Sequence, residues 1–182
     1  MSEIMDPVTI IKIYYKEGSD LYNMLINHST DVMNKALSVV DKHPELKADR
    51  QFVAEAAMLH DIGILHTYAP LIHCYGLLPY PCHGYLGREI LDGLGYPAHG
   101  LVCERHTGVG ITEEDIISQG LPLPHRDMVP ITVEEMIICF ADCFFSKTKL
   151  GVEKPIEKIR QELSVHGEDK AIRFDDWCRL FL

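Results

Sequence analysis

The chain has 182 residues, of which 17 are basic and 27 acidic, for a net charge of −10. That length suits one domain with a full hydrophobic core, and the 47% hydrophobic and 24% charged content is that of a soluble globular protein. The acidic balance excludes binding of duplex nucleic acid through its phosphates, which needs a basic face, and no apolar stretch has the length to cross a bilayer.

The start, MSEIMDPVTIIK, lacks the basic region of a signal peptide, so a cytoplasmic location is expected and no membrane partner. The six cysteines form no CxxC pair and read as reduced, mostly buried thiols.

Asp6-Pro7 suits an N-cap followed by proline at the first helical position, opening a helix to about Lys16. Gly18-Ser19 breaks it. A long amphipathic segment then runs through Leu21, Leu25, Val32, Ala36 and Val39 to His43-Pro44, with a bend expected near Asn27-His28-Ser29. Arg50 to Leu59 is an alanine-rich helix able to pack closely. Residues 64–82, with three prolines and three tyrosines, show no helical period and read as a lid or binding loop. Two short helices follow, Gly84–Leu94 and Ala98–His106, parted by Gly95-Tyr96-Pro97.

Thr112 to Asp115 and Thr132 to Glu135 match the capping-box pattern and mark two further helix starts, with a proline-punctuated loop between them. The second of these helices continues through Ile137, Ile138, Phe140, Ala141 and Phe144. Residues 152–164 and 168–181 supply two more. Strand-like alternation is scarce, so the fold class is all-α, in a single domain spanning residues 1–182.

Ten histidines are many for this length, and histidine is both the commonest metal ligand and a frequent acid–base group. His28, the pair His60-Asp61, His83, His106 and Asp142 stand out together, each at or near a helix. Asp142 lies in IICFADCFF, where burying a carboxylate is costly unless it is paired or bound to a cation. An N-cap bond, a salt bridge or an exposed helix face would also account for it. His60 and Asp61 lie about 100° apart around a helix axis, so they straddle an ion only at a helix end. The plain alternative is a helix terminus at which Gly63 supplies a left-handed stop. His43, His99, His125 and His166 read as loop or helix-end residues, and His66 and His73 as surface residues flanking the 64–82 loop.

Taken with their spacing, NHSTDV, AAMLHDIG and FADCFFSK resemble the HD-domain superfamily of metal-dependent phosphohydrolases, over roughly Leu21 to Lys147. HDIG is the tetrapeptide that names a common subgroup. HGYLGREIL and ERHTGVGI resemble the two extra histidine segments of branches that hold two metals. The resemblance implies a helical bundle with a metal site between its helices. His28, His60, Asp61 and Asp142 would hold one divalent ion. For a second ion, Asp61 would bridge and His83 and His106 would complete the shell. The alternative is one ion, with His83 and His106 contacting substrate. A mixed histidine and carboxylate set suits Mn, Fe, Co, Ni or Zn without choosing among them.

The implied activity is hydrolysis of a phosphoester in a nucleotide or other small phosphorylated metabolite, by a water that the metal acidifies. Asp61 carries the catalytic assignment, by orienting that water. Arg105, beside His106, and Lys147 are the candidate substrate-binding cations. Lys147 is about 140° from Asp142 around a helix and reaches the site only if the helix ends or bends there. Arg88, five residues beyond His83, carries the same condition. The competing class is a non-catalytic HD domain that binds metal or nucleotide in a structural or regulatory role. A metal-free helical interaction module is a third reading. The helical surface also leaves room for a homodimer.

Overall fold

The computed structural model describes residues 5–182. The Met1–Ile4 start, on which part of the signal-peptide reading rests, lies outside the described residues. The chain folds as a helical bundle, as its periodicity requires. α1 (Pro7–Tyr14) is capped by the Asp6 side chain, and α2 (Asp20–Lys42) by Ser19. α2 is assigned as one unbroken helix through Asn27-His28-Ser29, where a bend was expected. α3 is Arg50–Leu59, with the Asp49 side chain accepting from the amides of Gln51 and Phe52.

The 64–82 region is ordered by short 3₁₀ turns and a two-residue hairpin, β1 (Tyr68–Ala69) antiparallel to β2 (Cys74–Tyr75). α4 (His83–Gly93) and α5 (Pro97–Arg105) follow, then α6 (Glu113–Gln119), which has the full reciprocal capping box at Thr112 and Asp115. At α7 (Val133–Cys143) only half of the expected box forms. Thr132 accepts from the Glu135 amide, but the Glu135 carboxylate turns to the amide of Ile131 and to Arg105. α8 (Ile156–Ser164) begins four residues later than the sequence pattern suggests, because Pro155 is its N-cap and Lys154 is tied to the Phe144 carbonyl. α9 is Glu168–Phe181.

Two large apolar clusters hold the bundle, with a smaller one around Cys82, Ile116, Leu123 and Met128. One joins α2, α3 and α7 to the C-terminal helices around Phe140, whose ring meets Phe144, Phe174 and Phe181 at centroid distances of 5.0, 5.6 and 5.3 Å. Each such pair adds about 0.5–1.5 kcal/mol beyond its area burial. The other joins α1, α2 and the Ile62–His66 turn to Leu91 of α4 and Cys103 of α5. α2, α3 and α5 contribute to both large clusters, and His28 of α2 and His60 after α3 lie where the two meet. Cys74, Cys82, Cys103, Cys139 and Cys143 are buried free thiols and Cys178 is half-buried, as expected. No described helix is long and apolar enough to cross a membrane.

Candidate metal centre

Three of the four histidines sit at helix ends and share one local device. His60 follows the last residue of α3, and its Nδ1 lies 2.6 Å from the Ala57 carbonyl. His83 opens α4 after the Tyr80–Cys82 turn, with Nδ1 2.7 Å from the Tyr80 carbonyl. His106 follows α5, with Nδ1 2.7 Å from the Cys103 carbonyl. A carbonyl only accepts, so Nδ1 donates in each ring, and in the neutral ring Nε2 is left as a bare lone pair. That is the state of a histidine prepared for a metal. His28 instead lies in the middle of α2.

These Nε2 atoms converge on two carboxylates. His28 Nε2 is 3.2 Å from Asp61 Oδ2 and 3.0 Å from Asp142 Oδ1. His60 Nε2 is 3.0 Å from Asp61 Oδ2 and 3.5 Å from Asp142 Oδ1. On the other side, Asp61 Oδ1 faces His83 Nε2 at 3.5 Å and His106 Nε2 at 3.4 Å. Asp61 thus divides its two oxygens between two histidine pairs. The ligand atoms form two compact groups, His28, His60, Asp61 and Asp142, and Asp61, His83 and His106.

His28, His60, Asp61, His83 and His106 are buried, and their chemistry is unbalanced without a cation. His28 Nδ1 and Nε2, His60 Nε2, Asp61 Oδ1 and Asp142 Oδ1 are buried atoms with no hydrogen-bond partner. Buried polar atoms of this kind cost about 1–3 kcal/mol each when unpaired, so a set of them on facing side chains fits a bound ion. Charge tells the same story. Burial opposes the His60 imidazolium, but the Asp61 and Asp142 carboxylates outweigh it and hold its pKa up at about 10, so the two carboxylates call for a positive charge here that either a proton on His60 Nε2 or a metal ion supplies. Burial and the neighbouring His106 push His83 down to about 3, leaving it neutral. Asp61 and Asp142 are held well below the usual carboxylate range, because the Lys147 ammonium and the facing imidazoles overcome the cost of burial.

Lys147 reaches this centre because the condition set by the sequence is met: α7 ends at Cys143 and the chain turns through Ser146–Lys149. Its Nζ lies 2.7 Å from Asp61 Oδ2. Arg105 is not brought in. Its guanidinium is paired with Glu135 at 2.9 and 3.0 Å, so it braces α5 against α7 and lies outside the cluster. Arg88 is likewise taken up by Glu104 and by Asp92.

Gly63 does not act as a left-handed stop. Its φ is not positive, and it lies within the Ile62–His66 turn. A Cβ there would come within 2.2 Å of the His83 carbonyl oxygen and 2.4 Å of the Gly87 amide. The glycine is required because α4 passes directly over it, and that contact places His83 beside His60-Asp61.

Tyr80 is the residue that sequence reasoning missed. Its carbonyl orients His83, its ring stacks on the His83 ring at 4.6 Å, and burial raises its phenol to about 12. The available signal was the spacing: Ala57, Tyr80 and Cys103 each precede a ligand histidine by three residues. Above the cluster lies a cavity of about 390 Å³, whose wall includes Tyr80, His83, Asp142 and Lys147. A second depression of about 380 Å³, between α2 and the 68–75 hairpin, meets Lys147 from the other side.

Among proteins of known sequence, an uncharacterized protein of Methanocaldococcus jannaschii is 35% identical over 129 residues, 70% of this chain and 69% of that protein. A Picrophilus torridus protein named tRNA (cytidine(56)-2'-O)-methyltransferase is 33% identical over 171 residues, 93% of this chain and 44% of that protein. The Thermoplasma volcanium protein of the same name is 31% identical over 161 residues, 87% and 42% respectively. The chain therefore spans less than half the length of these two methyltransferases. No solved structure matches it. The family model described as HD domain matches residues 25–145, the stretch that carries all six ligand candidates. Sequence pattern, helical fold and ligand geometry agree with that match, and the chain belongs to the HD domain family.

Proposed function

We propose that the protein is a metal-dependent phosphohydrolase acting on a nucleotide or another small phosphorylated metabolite. The observation that carries this reading is the division of Asp61 between two facing sets of histidine nitrogens, in a cluster whose His83 and Asp142 line a cavity open to a small molecule. When bound there, divalent ions supply a water acidified toward neutral pH and neutralise charge on the phosphoryl oxygens. Each residue has a part. His60, His83 and His106 present Nε2 because Nδ1 is tied back to the chain. Asp61 holds the two halves of the centre together and orients the attacking water. Lys147, which borders the cavity beside Asp61, meets the phosphoryl group as a point charge. Tyr80, a neutral phenol at operating pH, packs against His83 and shields it from solvent.

The test is a panel of phosphomonoesters and phosphodiesters assayed with Mn, Fe, Co, Ni or Zn. Turnover that disappears on chelation supports the reading. Protein that purifies without metal and turns over nothing with any of the five refutes it.

The names of two relatives favour a second reading. The matched stretch lies within proteins named for methyl transfer to tRNA, so an HD domain of this type is compatible with a binding or regulatory role beside another activity. That reading predicts metal content and ligand-induced stabilisation without turnover. The net charge of −10 opposes direct binding of RNA phosphates by this chain.

A further inference from the structure

The family match ends at residue 145, yet the cavity over the cluster continues to residues beyond it. From Tyr80, His83, Asp142 and Lys147 it extends to Ile159 and Leu163 of α8, His166 at the end of that helix, and Lys170 of α9. Its volume of about 390 Å³ falls within the range of small-molecule sites, about 300–1,000 Å³. Ile159 and Leu163 are buried and face a middle section that Val109, Ile111 and Phe145 also line.

The charges along this wall cancel in pairs. Lys154 lies 2.8 Å from Glu162, and Lys170 lies 2.6 Å from Asp115. Both lysines and both carboxylates line the cavity. A second phosphate reaching away from Lys147 would meet no free ammonium group there. It would have to break one of these pairs and face the carboxylate left behind, and at Lys170–Asp115, the more buried of the two, like charges repel strongly.

We infer that α8 and α9 are the specificity wall of the enzyme, admitting a phosphomonoester whose organic body is uncharged, and rejecting one that carries a second anionic group. This rests on the phosphohydrolase reading, because the cluster must first hold a phosphoryl group. On this view the HD segment supplies the chemistry, and the two C-terminal helices choose the body attached to the phosphate.

The experiment is calorimetric binding to full-length protein reconstituted with Mn²⁺, with inorganic phosphate, AMP and ADP as probes. AMP is expected to bind at least tenfold more tightly than phosphate, and ADP at least tenfold more weakly than AMP. Leu163→Trp fills the cavity and should bring AMP to within about twofold of phosphate, with metal content and phosphate affinity unchanged. His166→Trp, at an exposed position on the cavity rim, makes the same test without disturbing the core. Equal binding of AMP and phosphate by the unaltered protein, binding of ADP as tight as that of AMP or tighter, or an unchanged AMP preference in folded variants would each overturn the inference. If phosphate binds and simple phosphomonoesters are hydrolysed while AMP has no advantage, only the specificity wall fails. If phosphate does not bind and nothing is hydrolysed, the phosphohydrolase reading fails and takes the wall with it.

Discussion

His83 Nε2 lies 3.2 Å from His106 Nε2, and in the neutral rings neither nitrogen has a hydrogen to give the other. Each ring has its hydrogen on Nδ1, donated to the carbonyl three residues earlier. Two lone pairs and the Asp61 Oδ1 atom therefore face one another across a buried space, where only a cation satisfies all three.

The first prediction concerns that space. His83→Ala or His106→Ala should lower the metal content from about two ions per chain to about one, since each removes a ligand from the second group alone. Elemental analysis of the purified variants gives the ratio, and circular dichroism checks that the helices persist. Variants that keep both ions would show that these histidines serve substrate or structure instead.

Lys147 separates metal binding from phosphate binding. Lys147→Met keeps most of the apolar stem and removes the charge beside Asp61. Metal content should be retained, while kcat/KM for a phosphomonoester falls by about tenfold or more, in line with losing a charge-assisted contact of about 1.5–3 kcal/mol. An unchanged kcat/KM would place Lys147 outside the chemistry and leave it a counter-charge to Asp61.

Gly63→Ala tests how the site is assembled. The added methyl would press on the backbone of α4 at His83 and Gly87, which no side-chain rotation relieves. Overpacking of this kind costs about 1–3 kcal/mol or more, and in a chain of this size each kcal/mol lowers Tm by about 2–4 °C. The variant should melt lower and lose metal from the His83 and His106 side first. A variant with unchanged Tm and metal content would contradict the close approach.

Away from the metal centre, the Asp115–Lys170 pair ties the α6 cap to α9 and carries a pH signature. Burial would raise the Asp115 carboxyl, but its bonds to Lys170 and the Thr112 amide prevail and hold it below the usual range. Its contribution is therefore fully present above the ordinary carboxyl pKa of about 3.9 and is lost as pH falls through the lower folded value. Burial opposes the charge on Lys170, yet Asp115 and Asp169 raise its pKa, so its share persists below about 10.4 and is lost as pH rises beyond that. Asp115→Asn should destabilise the protein by about 1–3 kcal/mol at pH 7, with the difference shrinking below about pH 4. Urea midpoints at pH 7 and pH 3 give the comparison. A difference that is the same at both values would mean that the pair contributes packing and capping but no charge.

Much of this architecture was legible before any coordinates. α3 falls on Arg50–Leu59 and α9 on 168–181 as their patterns indicate, α3 with a clear Asp49 cap and α9 with a glycine break at Gly167 before its apolar residues. The six ligand candidates come together because helix ends can be located in sequence and the residue types belong to one chemistry. What stayed hidden depends on contacts between distant segments. Gly63 looked like a local stop, but its need for glycine arises from α4, twenty residues on. Arg105 looked available beside His106, but Glu135, thirty residues away, claims it. Tyr80 sat in a loop without periodicity, and its role arises only when its carbonyl meets the His83 ring. The far wall of the cavity comes from helices whose own sequences carry no sign of a site.

Asp61 is the residue on which the account turns, because it alone belongs to both ligand groups. The most direct measurement is the metal-to-protein ratio of the unaltered chain and of Asp61→Asn, by elemental analysis after reconstitution with Mn²⁺ and removal of the excess. The account predicts about two ions per chain in the first and a loss of both sites' occupancy in the second, with the helical fold intact. An unaltered chain that binds no metal, or an Asp61→Asn variant that keeps both ions, would contradict it.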